Sequence, residues 1–332
     1  MSDADASSSP GATHQGSSDL PIIVVVGPTA SGKSLLAAQL ARALEGEVLS
    51  ADSVQVYRHF DIGSGKPTSE ELELAPHHLI DECDPLKPLE ASQWAQRAHE
   101  LAGQMAQRSK VPIVCGGTFL WVRALLYGLA KAPPGNQELR DRHRAYARQH
   151  GREALHGRLK EVDPPSASRL HPNDLVRVSR ALEVHELSGR KLSDLQQEHG
   201  FRSPRFRHRM LRIDWPQDEY EARLRTRVAS MLSLGFRQEV RELIERGYGD
   251  ARAMQSVGYR QVFEAESAGG SISDEQLLEE IVRVTRVFAR RQRTWLRDED
   301  ILSVTPQALA GGQAFAEIIQ ILGAHISPPA AR

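Results

Sequence analysis

The first long apolar run of the chain, residues 22–26 (Ile-Ile-Val-Val-Val), is β-branched throughout and is bounded by Pro21 and Gly27. Lacking the alternation of a half-exposed strand, it predicts a strand buried on both faces, as in a parallel sheet. A helix is predicted from about 33 to 44, stopped near Gly46, and then a short strand over 48–51 that ends at Asp52. Residues 78–81 read as a third strand and 90–108 as a helix. Residues 111–115 read as another buried strand running into Gly116-Gly117-Thr118, and 119–127 as helix again. Strand and helix in alternation imply a doubly wound parallel sheet, whose ligands lie beyond the carboxyl ends of the strands. Those ends deliver Gly27, Asp52 and Thr118 to one candidate site.

The pattern changes at Lys131-Ala-Pro-Pro-Gly-Asn136, a breaker cluster. From there to about 200 the chain is helical and charged with no strand candidate. A strand returns at 210–215, followed by a helix over 217–235 and a mostly helical remainder to 322. The division this predicts is a disordered tail (1–20), the first part of the core (21–131) and a helical insertion (132–200). The completion of the core with a helical region (201–322) and a second tail (323–332) follow.

Composition narrows the function classes. The formal net charge of the 332 residues is -1, so any nucleic-acid site must be a local concentration of Lys and Arg. The two cysteines, Cys83 and Cys115, exclude a disulfide framework, and no Cys/His cluster has zinc spacing. The Ser/Ala/Gly-rich start has neither the basic nor the apolar part of a signal peptide, and no apolar run reaches the roughly 20 residues of a membrane span. A cytoplasmic enzyme is the expectation, taken as a monomer.

Gly27-Pro28-Thr29-Ala30-Ser31-Gly32-Lys33-Ser34 fits G-x-x-x-x-G-K-[ST] at every fixed position and lies between a predicted strand and a predicted helix. The glycines let backbone N–H groups turn onto phosphate oxygens, the helix N-terminus adds partial positive charge, Lys33 adds a full one, and Ser34 is placed to ligate Mg²⁺. The fold class is therefore α/β, a P-loop NTPase-like doubly wound parallel sheet core with a helical insertion domain. Alone, this loop suggests ATP binding and a small-molecule kinase.

Further motifs point elsewhere. Asp52-Ser53-Val54-Gln55-Val56-Tyr57, Asp61-Ile-Gly-Ser-Gly-Lys-Pro67, Pro76-His77-His78-Leu79-Ile80-Asp81 and Gly116-Gly117-Thr118 stand in order. They are followed by His171-Pro172-Asn173-Asp174, Arg180-Ala-Leu-Glu183, Ser256-Val-Gly-Tyr-Arg-Gln261 and Arg291-Gln-Arg-Thr-Trp-Leu-Arg297. From about 22 to about 297 the chain resembles the tRNA dimethylallyltransferases, the IPP transferase family. The resemblance implies attack of the N6 nitrogen of adenosine 37, beside the anticodon of tRNA, on the allylic carbon of dimethylallyl diphosphate, with Mg²⁺ as cofactor. It implies Asp52 as general base, with Thr118 and Lys33 at the leaving diphosphate. The diphosphate site would comprise the whole Gly27–Ser34 loop with Arg223 and Arg227. Contacts to the anticodon stem-loop would come from Asp52, Ser53, Val54, Gln55, Thr118, Arg177, Arg180, Gln255, Ser256, Gly258, Tyr259, Arg260, Arg290, Arg291 and Arg297. Where the family often has Gln shortly before Arg177, Val176 stands here. Phe119, Trp121 and Tyr127 are expected in the core beneath the site and are candidates for an apolar slot.

Two arginine clusters agree with a polyanionic partner. Arg202, Arg205, Arg207, Arg209 and Arg212 fall in one short stretch. Arg283, Arg286, Arg290, Arg293 and Arg297 project within about 80° of each other on a helix, and Ile281, Val284, Phe288 and Trp295 occupy a different sector. No Asp or Glu lies between Ile281 and Arg297, which favours a phosphate-tracking surface over a solvated face of mixed sign. His77 and His78 have no ligand spacing to other groups and read as structural. Two alternatives stay open: dimethylallyl transfer to free adenylate, and small-molecule phosphorylation.

Overall fold

The computed structural model describes residues 20–270, 272–297 and 299–327. The tails expected at residues 1–19 and 328–332 lie outside the described residues. Two compact units emerge: one runs through Leu126 and resumes at Pro204, the other is Tyr127–Ser203.

The larger unit is built on six parallel strands: β1 (Pro21–Val26), β2 (Glu47–Ser50), β3 (His77–His78), β4 (Pro112–Gly116), β5 (Arg207–Ile213) and β6 (Ile301–Val304). Their order across the sheet is β3-β2-β4-β1-β5-β6. β1 lies in the middle because it is flanked on both sides, Val25 being level with Cys115 on β4 and with Leu211 on β5. All its residues from Ile22 to Val26 are buried, as a continuous apolar run requires. Around the sheet lie α1 (Lys33–Ala43), α2 (Ser69–Leu74), α3 (Ala91–Gln107), α4 (Phe119–Tyr127), α10 (Gln217–Ser233), α11 (Phe236–Glu245), α12 (Tyr259–Ser267), α13 (Asp274–Trp295) and α14 (Gly312–Ile326). Leu36 and Leu40 of α1 and Ile318 and Leu322 of α14 cover one face of the sheet through Ile23, Val25, Ile113 and Leu211.

Three expectations require correction. β6 is a strand where continuing helix was expected: its four residues pair in parallel with β5, Leu302 beside Leu211. α14 runs to Ile326, past the point where a tail was expected, because Leu322 is fully buried against the sheet. The third strand is the two-residue His77–His78 rather than 78–81. No helix among the described residues is long and apolar enough to cross a membrane.

The smaller unit contains α5 (Gln137–His150), α6 (Arg152–Val162), α7 (Pro164–Arg169), α8 (Leu175–Ser188) and α9 (Leu192–His199), packed on Leu155, Leu159, Val178, Ala181 and Leu182. The starts of α5 and α7 are set by side-chain caps, Asn136 to the Leu139 amide (3.0 Å) and Asp163 to the Ser166 amide (3.1 Å).

Candidate active site at the strand ends

The carboxyl ends of β1, β2 and β4 open on one cavity of about 510 Å³, lined by Thr29, Lys33, Asp52, Ser53, Val54, Thr118 and Arg227, and by Gln255, Ser256 and Gly258. Three separated stretches of sequence that were assigned to one site are therefore brought together, with helix α10 closing a side.

The loop between β1 and α1 turns through Ala30 (φ 67°) and Gly32 (φ 86°), and α1 begins with no side-chain cap and no acidic residue in its first turn. Its first amides and the positive end of the helix are thus left for an anion. Three outward-facing carbonyls of the loop are each held from the α10 region. Tyr220 Oη donates to Thr29 O (3.1 Å), Arg223 Nε to Ala30 O (3.3 Å) and Trp215 Nε1 to Ser31 O (2.9 Å). The Arg223 guanidinium also lies over the Trp215 ring, 4.2 Å from its centroid. Arg223 therefore braces the loop, while Arg227, one turn further, lines the cavity. Tyr220 and Trp215 escaped the sequence reading, which had only a strand boundary near Trp215 to offer.

Lys33 Nζ donates to Pro28 O (3.4 Å), and burial lowers its pKa below the ordinary 10.5 despite the nearby Asp52 carboxylate. Burial likewise lowers the Arg227 pKa, and its buried Nε has no hydrogen-bond partner among the described residues. At both cations desolvation outweighs the nearby Asp52 and Glu71 carboxylates, a balance that an added anion would relieve. Cys115 lies beside Lys33, but burial pushes its thiol pKa up to about 12, so it is no nucleophile.

Asp52 follows β2. Its Oδ1 accepts from the amides of Val54 (2.9 Å) and Gln55 (3.3 Å), which fixes the turn and leaves the second oxygen available. Thr118 Oγ1 accepts from the Ser53 amide (3.1 Å) and donates to Ser53 Oγ (3.3 Å), tying the β4 end to the β2 end. That approach needs glycine, since a Cβ on Gly116 would collide with the Ala51 carbonyl and one on Gly117 with the Gln292 amide. Gln292 of α13, buried, donates to Gly117 O (2.9 Å); it lies inside a motif quoted above without a role of its own.

Several assigned contacts have other partners. Gln55, read as an adenine contact, spends its amide inside the protein: Nε2 donates to Ser64 O (3.3 Å) and Gly65 O (2.9 Å), and Oε1 accepts from Ser50 (2.9 Å). Tyr259 is fully buried and its hydroxyl donates to Glu239 (2.6 Å). Arg260 pairs with Glu264 (2.8 Å) and Ser256 Oγ with Ala253 O (2.6 Å). In the helical unit Arg180 is joined to the buried Glu183 and to Pro133 O, whereas Arg177 faces Asp174 at 3.4 Å and is largely exposed, as is Val176. Of the three aromatic residues considered for a slot, Trp121 lines the cavity. Phe119 is buried, and Tyr127 belongs to the helical unit against Phe201. The apolar wall is instead Leu224, Val228, Met231, Phe236 and Ile281 from α10, α11 and α13. An amphipathic reading of 217–235 shows that one face of α10 is apolar but not which neighbour it meets.

The arginine clusters are thinner than they read. Arg209 pairs with Asp300 (2.8 Å), Arg212 with Asp214 (2.6 Å), and Arg207 donates to the Ser327 carbonyl (3.0 Å). On α13, Arg283 meets Glu280 (2.7 Å), Arg286 meets Glu221 (3.0 Å) and Arg293 donates to Gln217 (3.1 Å). The neutralising acids come from outside 281–297, where a local count does not see them. Among the described residues no ion pair involves Arg290, Arg291 or Arg297. Phe288 and Trp295 are on the exposed side, and the buried stripe is Leu278, Ile281, Val282, Thr285, Ala289 and Gln292.

A P-loop-like core whose strand-end cavity joins an anion cradle, an acidic side chain and an apolar wall defines a class, the enzymes that transfer a group from a phosphorylated donor. The family model described as IPP transferase matches residues 55–299, and a second, isopentenyl transferase, matches 20–86, including the anion loop. The chain belongs to the IPP transferase family. It is 55% identical over 283 residues to a tRNA dimethylallyltransferase of Sorangium cellulosum, covering 85% of this chain and 90% of that one. It is 42% identical over 286 residues to one from Myxococcus xanthus, covering 86% and 92%. Among solved structures it is similar to a tRNA isopentenylpyrophosphate transferase of Bacillus halodurans (TM-score 0.66, 30% identity, 92% and 96% covered). It is similar as well to a eukaryotic dimethylallyltransferase described as acting on tRNA (TM-score 0.78, 26% identity, 93% and 80% covered).

Proposed function

We propose that this chain transfers the dimethylallyl group of dimethylallyl diphosphate to N6 of adenosine 37, next to the anticodon of tRNA, and releases diphosphate. The observation that carries the reading is the convergence of Asp52, Thr118, Lys33 and Arg227 on a single cavity with an apolar wall. The target base must leave the anticodon-loop stack to enter it. N6 is a poor nucleophile because its lone pair is delocalised into the ring. As the N–C bond forms, Asp52 takes the N6 proton on the oxygen not held by the Val54 and Gln55 amides. The C–O bond breaks with its electron pair going to diphosphate. The added charge falls on the loop amides, Lys33 and Arg227, with Thr118 donating to the departing group in place of its 3.3 Å bond to Ser53. The apolar wall takes the isoprenoid tail and excludes water from the allylic carbon.

Mg²⁺ fits the residues present. Ser34 borders a small space beside the loop, and its hydroxyl is a hard oxygen donor suited to the ion. Ser34 would hold it against the diphosphate, where it supplies charge neutralisation. Gln255 and Ser256 at the cavity, with Arg290 and Arg291 on the exposed side of α13 and the exposed Arg297 just past its end, are the tRNA contacts supported best by exposure and charge, and Gly258 lines the cavity as buried backbone. The substrate places the enzyme in the cytoplasm.

The test is to incubate the protein with dimethylallyl diphosphate, Mg²⁺ and an unmodified tRNA, then digest and weigh the nucleosides. Prenylated adenosine from tRNA, and none with AMP as acceptor, is the expected result. Prenylated AMP, or ATP consumption without a prenyl donor, would replace this reading with one of the alternatives.

A further inference from the structure

Helix α11 supplies a carboxylate that the transfer chemistry does not itself use. Glu239 Oε2 accepts from the backbone amides of Asp61 (3.0 Å) and Ile62 (2.6 Å). Its Oε1 accepts from the Gly63 amide (3.2 Å) and from the Tyr259 hydroxyl (2.6 Å). The Tyr259 oxygen in turn accepts from the Ser64 amide (3.2 Å). Four consecutive amides of one loop thus end on a single side-chain pair. An ionised carboxylate suits that task, with two oxygens and no proton of its own to oppose the donors. Tyr259 is fixed as well, fully buried between the Phe60 and Phe236 rings at 4.8 and 5.0 Å.

The clamped loop touches the reacting groups from two sides. The carbonyls of Ser64 and Gly65 accept both protons of the Gln55 amide, and the Gln55 backbone N–H donates to Asp52 Oδ1 (3.3 Å). Gly65, with φ 60°, packs so closely on the Arg227 guanidinium that a side chain there would collide with it. Gly63 and Ser64 themselves line the cavity. The loop lies between the clamp and the two groups on which the proposed chemistry depends.

We propose that Glu239, together with Tyr259, is a positioning residue for prenyl transfer, acting through the 61–65 loop on the Asp52 carboxylate and the Arg227 guanidinium. The inference rests on the reading of Asp52 as the base. Neither Glu239 nor Tyr259 touches substrate in this scheme, so their loss is felt mainly in the rate of transfer, and in affinity only for dimethylallyl diphosphate, through Arg227.

Glu239→Gln, Tyr259→Phe and Asp52→Asn are to be compared by single-turnover prenyl transfer, by equilibrium binding of dimethylallyl diphosphate and of tRNA, and by thermal midpoint. Glu239→Gln turns one acceptor oxygen into an NH₂ group facing amide donors. Its transfer rate is expected to fall about 10²-fold, the scale of a small misplacement of reacting groups. The tRNA dissociation constant should stay within about threefold, and that of dimethylallyl diphosphate should change far less than the rate. Tyr259→Phe frees one amide and should lose about three- to tenfold in rate with the same affinities. Folded variants that transfer at the wild-type rate, or that lose affinity with an unchanged rate, would overturn the inference. Should Glu239→Gln not fold, Tyr259→Phe decides by the same two outcomes. Asp52→Asn separates the claims: full rate there overturns the base, whereas a slow Asp52→Asn beside fast clamp variants overturns the clamp alone.

Discussion

In the helical unit the fully buried Glu183 meets Arg180, Arg140 (3.0 Å) and the Asn136 amide, whereas at the strand ends Arg227 keeps a buried Nε with no partner. Burial alone would raise the Glu183 pKa, but Arg180 and the Asn136 amide outweigh it and hold the carboxyl below its usual range. The same unit sets His143 between Ser179 and Glu186, both at 2.9 Å, and gives Asp163 the amides of Ser166 and Ser193. Charge buried there is matched within the fold and serves the fold. Lys33 and Arg227 at the strand ends are buried at the expense of their charged forms. Uncompensated charge of that kind is held in place by the surrounding structure and becomes favourable when an anionic ligand arrives.

The difference is open to direct attack. Among the cations Lys33→Ala should have the largest effect, a loss of about 10²–10³ in transfer rate, as for removal of one donor to developing charge. Steady-state kinetics with saturating tRNA measures it. A pair of variants then probes the comparison itself. Arg227→Leu should slow transfer while leaving the thermal midpoint unchanged or higher, because it removes a desolvated cation whose buried Nε has no hydrogen-bond partner among the described residues. Arg180→Ala should lower stability by about 1–3 kcal/mol, the range for hydrogen bonds to a buried charge. Equal destabilisation by both would erase the distinction drawn here. A smaller effect is expected at the surface: Arg290→Gln with Arg291→Gln should make the salt dependence of tRNA binding shallower by about 1.5 in slope. Arg209→Gln, whose side chain is engaged by Asp300, should leave that slope unchanged.

The mildest test is pH. A lysine with a lowered pKa is charged below that value and loses its proton as pH rises through it. Affinity for dimethylallyl diphosphate should therefore decline on the alkaline side, beginning below the ordinary lysine value of 10.5. The bound diphosphate favours the cation and moves the decline upward, so the limb should begin at lower pH in binding than in turnover of the saturated enzyme.

What could be read in advance follows the range of the interactions. The anion loop is local: its glycines, its lysine and both flanking elements lie in one stretch, and the strand ends carrying Asp52 and Thr118 follow from the alternation around them. The braces of that loop do not: Trp215 reaches Ser31 and Tyr220 reaches Thr29 across separations of 184 and 191 residues, and nothing near either residue marks the contact. Glu239 was invisible for the same reason, being one acidic residue on a helix face that alternates charge with apolar positions. β6 was missed because four residues after a long helix carry too little pattern to announce a strand that β5 then recruits. The arginine stripe was overcounted because Glu221, on another helix, neutralises one of its members.

The central claim, that the strand-end cavity moves a proton through Asp52 while its cations hold diphosphate, is tested most directly by single-turnover transfer with Asp52→Asn. The amide keeps the size and the turn of the native side chain but is a far weaker base. The account predicts a rate lower by about 10²–10⁴, the usual contribution of a general base, with dimethylallyl diphosphate and tRNA bound as by the wild type. A rate within about twofold of wild type under the same conditions would contradict it.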